Sequence, residues 1–212
     1  MTEEILDRIY DGVLRGDTKA VTAGVQAGLD AGLDPQQLLD DAMVEAMEEI
    51  GHRFENNECF VPEMLIAARA MKEGVAVLTP YLADAGVKPL GKVIIGTVRG
   101  DVHDIGKNLV RIMMESSGWE VVDLGVDVSP EKYVAAVQEH HPRIVGMSAL
   151  LTTTMSNMKL IIDALENAGV RDQVKVMVGG APVTQDYAQR VGADLYALDA
   201  AAAAEVVKTL AV

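Results

Sequence analysis

Apolar positions recur every three or four residues through the first part of the chain. After residue 91 they give way to short unbroken apolar runs separated by helical stretches. In the first part Ile5, Leu6, Ile9, Val13 and Leu14 fall at helical spacing, and Asp17 is placed to cap a second helix carrying Val21, Val25 and Leu29. Asp34-Pro35 combines an N-cap residue with proline at the first helical position. The helix it opens presents Leu38, Leu39, Ala42, Met43, Ala46, Met47 and Ile50 on one broad face. A further helix is predicted from about Pro62 through Met64, Leu65, Ala68, Met71, Val75 and Leu78. Amphipathic helices joined by such short connections predict an N-terminal four-helix bundle over residues 1–86.

In the second part, strands are predicted at 92–97, 120–123, 143–148, 175–178 and 194–196. The intervening helices are predicted at 105–117, 130–140, 154–168, 184–191 and 200–210. Strict alternation of strand and helix predicts an α/β domain over residues 91–212, built on a doubly wound parallel sheet. Ligands of such sheets bind beyond the carboxyl ends of the strands, where the strand order reverses. The segment 84–91, Asp-Ala-Gly-Val-Lys-Pro-Leu-Gly, reads as a hinge between the two parts.

Composition narrows the function. The 212 residues are half apolar, yet no run approaches the ~20 apolar residues of a membrane span. The opening Met-Thr-Glu-Glu-Ile lacks the basic-then-apolar layout of a secretory signal. A single cysteine, Cys59, excludes an internal disulfide and fits a cytoplasmic location. The formal charge of −14 argues against nucleic acid or an anionic membrane as partner.

The most informative chemistry lies directly after the first strand, in Gly100-Asp101-Val102-His103-Asp104-Ile105-Gly106-Lys107-Asn108. An imidazole at the carboxyl end of a buried strand, with a carboxylate two residues earlier, is placed to ligate a metal. By itself the string could equally be a solvated loop with Asp104 capping the next helix. Other strand ends add to it. Ser148 opens Ser148-Ala149-Leu150-Leu151-Thr152-Thr153-Thr154, Gly179-Gly180 ends the fourth strand, and Asp199 with Ala200 follows the fifth. Strand ends without bulk describe a slot rather than a phosphate cradle, and the glycine-rich phosphate-binding fingerprints are missing.

These residues, together with Val121-Val122-Asp123-Leu124-Gly125-Val126-Asp127-Val128, resemble the cobalamin-binding module of methionine synthase and the corrinoid methyl-carrier proteins. The resemblance implies a Rossmann/flavodoxin-like cobalamin-binding domain. It implies His103 as the lower axial ligand of cobalt, Asp101 as the carboxylate that orients it, and Thr154 as the hydroxyl completing the relay, where methionine synthase has serine. A metal-bound imidazole typically donates its other ring nitrogen to such a carboxylate. It further implies contacts to the corrinoid or its tail from Gly100, Val102, Asp104, Gly106, Ser148, Leu150, Thr152, Gly179, Gly180 and Ala200. Phe54, Phe60, Val61 and Met64 match the apolar helical cap over the upper face, while Met43, Met47 and Met71 read as core.

The implied function is that of a corrinoid protein loaded as methylcobalamin. It would pass a methyl group from a donor-specific methyltransferase to an acceptor methyltransferase that uses tetrahydrofolate or a thiol, with a reductive activator as a further partner. Two alternatives share parts of the pattern. A cobalamin-dependent regulator or light sensor usually adds a DNA-binding module, for which this acidic chain offers neither room nor charge. The small subunit of a cobalamin-dependent mutase resembles the second half but needs no cap. His52, His140 and His141 read as helix-surface or helix-end residues, and Trp119 as cover for the sheet.

Overall fold

The computed structural model describes residues 2–210. The chain forms two compact units, Met1–Lys88 with Ser116–Gly118, and Pro89–Glu115 with Trp119–Val212.

The helical unit contains α1 (Thr2–Leu14), α2 (Thr18–Asp30), α3 (Pro35–Leu38), a π-helical segment Leu39–Val44, α4 (Glu45–Glu55) and α5 (Val61–Asp84). Sequence signals set its ends. The Asp17 carboxylate accepts the Lys19 and Ala20 amides at 3.1 and 3.0 Å, and Asp34 accepts the Gln36 amide at 3.1 Å beside Pro35. At the start of α5, Glu63 reaches back to the Phe60 amide at 2.8 Å. The predicted third helix is therefore present as α3, the π segment and α4 in succession. The wider π turn went unforeseen because it keeps Leu38, Ala42, Met43, Ala46, Met47 and Ile50 buried, as a regular helix would. Close approach of α5 depends on Gly74, where a Cβ would lie 2.7 Å from both Met43 Sδ and Val21 Cγ1.

The second unit is a parallel sheet in the order β2-β1-β3-β4-β5. Its strands are β1 (Lys92–Thr97), β2 (Glu120–Asp123), β3 (Ile144–Ser148), β4 (Lys175–Gly179) and β5 (Leu195–Ala197). The helices are α6 (Ile105–Ser116), α7 (Pro130–His140), α8 (Ser156–Asn167), α9 (Gln185–Val191) and α10 (Ala200–Lys208), with a 3₁₀ turn at Arg171–Gln173. Alternate strand residues feed two cores. Ile94, Val145, Met147, Val176 and Val178 pack with Tyr133 and Val137 of α7, Met158, Ile161 and Leu165 of α8, and Ala188 and Val191 of α9. Val93, Ile144 and Met177 pack on the opposite face with Met114, Trp119, Ala203 and Val207. Because both faces are covered, β1, β3 and β4 read as nearly continuous apolar runs.

Tyr133 is fully buried, and its hydroxyl donates to the Gly96 carbonyl at 2.7 Å. Burial pushes its phenol well above the usual range. Trp119 is 3 % exposed and stacks with the Arg143 guanidinium, 5.7 Å from its ring centroid. Among the described residues no helix is long and apolar enough to cross a membrane.

Candidate functional site

The strand ends of the second unit lie level. Thr97 is opposite Ser148, Ser148 opposite Gly179, and Gly179 opposite Ala197. Chain order reverses at β1, which has β2 on one side and β3 on the other. The loops leaving β1 and β3 therefore border the crevice where this class of sheet binds ligands.

The loop after β1 turns sharply. Gly100 has φ +79°, a conformation that favours glycine, and the Asp101 amide donates back to the Val98 carbonyl at 3.1 Å. Asp101 is thereby driven inward and is completely buried. Its Oδ1 accepts the His103 amide at 3.1 Å and faces His103 Nδ1 at 2.7 Å. Its Oδ2 accepts the Leu150 and Leu151 amides at 2.8 and 3.2 Å and the Thr154 hydroxyl at 2.8 Å. Burial by itself would raise the pKa of this carboxyl. The hydrogen bonds from the His103 ring, the Leu150 amide, the Thr154 hydroxyl and the His103 amide outweigh it and hold Asp101 well below the usual carboxylate range. The Thr154 hydroxyl also lies 2.9 Å from the Leu151 carbonyl. It has one proton to give, and the ionised carboxylate is the stronger acceptor.

An ionised Asp101 can only accept, so the proton between it and His103 resides on Nδ1. In the neutral ring the lone pair then sits on Nε2, which has no hydrogen-bond partner among the described residues. The His103 side chain is 47 % exposed while Asp101 is at 0 %. Its surroundings are unusually apolar for an open edge: Val102, Ile105, Leu150 and Leu151 are all exposed.

The structure brings His103, Asp101 and Thr154 into one hydrogen-bonded chain. Leu150 joins them through its backbone amide. Asp104 opens α6, and its carboxylate accepts from the Asn108 side chain at 3.1 Å. At Gly106 a Cβ would meet nothing within 4 Å. Ser148 is half-buried at the end of β3, and Thr152 is exposed in the loop beyond. At Gly180 (φ +123°) a Cβ would lie 2.0 Å from the Ala149 carbonyl oxygen, so its bareness lets two strand-end loops touch. Gly179 is similarly crowded, 3.0 Å from the Ala197 carbonyl oxygen. Ala200 is buried at the start of α10, whose cap Asp199 accepts the Ala202 amide at 2.9 Å. In the helical unit Phe60 is exposed, Phe54 and Val61 are half-buried, and Met64 is completely buried.

Not anticipated from the sequence is the partly buried ion pair of Lys107 Nζ with Asp123 Oδ2 at 2.5 Å, supplemented by Asn108 Oδ1 at 2.9 Å. A lysine in the first turn of α6, on the side that packs against the sheet, was the available signal. The Thr97 hydroxyl, which donates to the His103 carbonyl at 2.8 Å, was also unassigned.

Two family models match this chain, both described as a B12 binding domain, one over residues 91–208 and one over residues 5–79. The chain belongs to the B12-binding domain family. It therefore binds cobalamin or a related corrinoid. It is 49% identical to trimethylamine corrinoid protein 2 of Methanosarcina mazei over 76% of this chain and 75% of that one. It is 43% identical to the dimethylamine corrinoid protein of Methanosarcina barkeri over 83% of each. Among solved structures it resembles a chain of the methanol:cobalamin methyltransferase complex of Methanosarcina barkeri, with a TM-score of 0.87 and 33% identity, covering 99% of this chain and 80% of that one.

The residues at the β1 edge fit a corrinoid. Among the described residues no group of three or more His, Cys, Asp and Glu side chains is disposed to hold a metal ion. A lone imidazole with a free Nε2 suits a metal that arrives with its equatorial positions filled, and the exposed apolar side chains beside it suit a broad macrocycle.

Proposed function

We propose that this B12-binding chain is a methyl carrier of a corrinoid-dependent methyltransferase system, with His103 Nε2 as the lower axial ligand of cobalt. The observation that carries this reading is the His103–Asp101 pair: a half-exposed imidazole whose Nδ1 is held by a buried, multiply hydrogen-bonded carboxylate. The similarity to trimethylamine and dimethylamine corrinoid proteins supports methylated amines as the class of donor. The likeness to a methyltransferase complex supports a donor-specific methyltransferase as partner; an acceptor methyltransferase and a reductive activator complete the proposed cycle.

The bound corrinoid supplies a cobalt centre able to accept and release a methyl group. The protein's own residues supply the rest. His103 presents Nε2 outward, and Asp101 keeps the proton on Nδ1 and fixes the plane of the ring. Thr154 and the Leu150 and Leu151 amides keep Asp101 ionised and immobile. The carboxylate held against Nδ1 thereby fixes the ring's direction and raises the basicity of Nε2.

The test is spectroscopic. Protein labelled with nitrogen-15 histidine and reconstituted with cobalamin is reduced to cobalt(II), and its electron paramagnetic resonance is recorded. Axial splitting that changes from three lines to two on labelling is expected, and in His103→Ala no splitting should respond to the label. Splitting that ignores the label would sink the ligand assignment. Methyl transfer from methylated amines with a partner methyltransferase tests the carrier role separately.

A further inference from the structure

Asp101 is gripped from a direction that the histidine relay does not use. The loop between β2 and α7 comes back beneath the β1 edge. The Thr97 amide donates to the Gly125 carbonyl, and the Val128 amide donates to the Thr97 carbonyl, both at 3.0 Å. Between these two anchors stands Asp127, in the left-handed region at φ +52°. Its carboxylate Oδ1 accepts the Gly100 amide at 2.7 Å, and its own amide donates to the Asp101 carbonyl at 2.9 Å. One residue from a different loop therefore holds both ends of the Gly100–Asp101 unit. Gly100, at φ +79°, is the pivot through which the chain swings Asp101 inward.

This arrangement points to a residue that acts at a distance. The two bonds of Asp127 fix the backbone on either side of the Gly100 pivot. That fixes where the Asp101 carboxylate lies, and Asp101 in turn fixes the imidazole. The bond of the charged carboxylate to a backbone amide is the stronger kind. A neighbouring loop is the natural source of such a clamp, since the β1 loop has already committed its Asp101 amide to a turn and its Thr97 hydroxyl to the His103 carbonyl.

We infer that Asp127 is a positioning residue for the axial histidine, clamping the Gly100–Asp101 backbone so that Asp101 holds His103 in ligating orientation. The inference rests on the reading of His103 as the cobalt ligand. It assigns Asp127 no contact with the corrinoid.

The test uses aquocobinamide, which lacks the nucleotide tail and its base, so that its affinity reports ligation by the protein. Dissociation constants are measured by absorbance titration of the full-length protein and of variants. Asp127→Gly accepts the left-handed conformation without strain and removes the carboxylate, while loosening the local backbone. Asp127→Asn keeps both the conformation and an acceptor oxygen. Outer partners of metal ligands typically contribute 10–100-fold in affinity, so Asp127→Gly is expected to weaken cobinamide binding about tenfold. Asp127→Asn is expected to stay within about twofold of the parent, since the amide oxygen still accepts. In a His103→Ala background the Asp127→Gly change should have no further effect.

Hydrogen exchange of the Gly100 amide in the protein without corrinoid gives a second readout, with faster exchange expected in Asp127→Gly alone. Parent-like cobinamide binding by Asp127→Gly, or an equal loss in the His103→Ala background, would overturn the positioning role. If His103→Ala itself binds cobinamide like the parent, the ligand reading fails instead, and the two failures are thereby distinguished.

Discussion

The Asp101→Asn substitution tests the central electrostatic argument without any cofactor. In the parent, the carboxylate accepts five donors: the His103 ring and amide on Oδ1, and the Leu150 amide, the Leu151 amide and the Thr154 hydroxyl on Oδ2. An asparagine amide must turn its NH₂ toward one of these groups. Facing the Leu150 side, it meets two backbone N–H donors that cannot reverse, although the hydroxyl can. Facing the His103 side, it meets one backbone donor and a ring nitrogen that must change tautomer. One or two buried donors are left unsatisfied, at about 1–3 kcal/mol each, giving a loss of about 1–6 kcal/mol at pH 7.

The pH dependence carries a definite sign. Asp101 has a lowered folded-state pKa, so its stabilisation is complete above the unfolded carboxylate range and declines as pH falls toward the folded value. With an unfolded value of about 3.9, this group costs the parent about 0.7 kcal/mol between pH 7 and pH 3.5. The uncharged side chain of the variant has no such dependence, so its deficit shrinks by that amount. Trp119 is the sole tryptophan and lies in the sheet unit, so its fluorescence during urea unfolding reports that unit. A variant within about 0.5 kcal/mol of the parent at pH 7, the range of an ordinary surface substitution, would refute the reasoning. So would a deficit that is unchanged at pH 3.5.

Three further outcomes follow from the packing around the site. Lys107→Met leaves the partly buried Asp123 carboxylate without its cation, and is expected to cost about 2–4 kcal/mol in the same unfolding assay, with part of the loss recovered by adding Asp123→Asn. Gly180→Ala places a methyl 2.0 Å from the Ala149 carbonyl oxygen at φ +123°. It should destabilise the sheet unit by about 3 kcal/mol or more. Gly106→Ala, in α6 with nothing within 4 Å of the added carbon, should instead stabilise the cofactor-free protein by up to about 1 kcal/mol.

The sheet was legible because its strands obey a pattern that tertiary context does not override. Burial of β1 and β3 on both faces forces unbroken apolar runs, and 92–97 matches β1 at both ends. β2 is an edge strand only partly covered, yet Glu120 and Asp123 delimit it clearly. Helix ends were less legible where side chains had other duties. The sequence pattern starts a helix at Thr154, but α8 begins at Ser156, because Thr154 and Met155 close a turn onto the Leu151 carbonyl while the Thr154 hydroxyl serves Asp101.

The candidate site was legible only in part, for a related reason. His103 and Asp101 are close in sequence, so their pairing follows from a single loop. The Leu150 and Leu151 amides and the Asp127 clamp belong to other loops, and backbone donors leave no mark in residue identity. Only their acceptor, the Asp101 carboxylate two residues before His103, could have been read. Met64 illustrates the converse. Its apolar character matches both a lid and a core position, and its complete burial does not by itself separate the two.

The span of the bonds around Asp101 has a consequence for biosynthesis. Three of its donors lie 49, 50 and 53 residues further along the chain. A ribosome releases Asp101 and His103 well before Thr154, and until β3 has paired with β1 the carboxylate has only its two local donors, both from His103. The imidazole of the nascent chain is therefore free to turn, and it acquires a fixed direction only when the loop after β3 arrives. On the proposed reading of His103 as cobalt ligand, loading with a corrinoid would follow completion of the sheet. Chains ending at residue 149 should retain the histidine yet lack the rigidity that makes it selective about the nitrogen it offers.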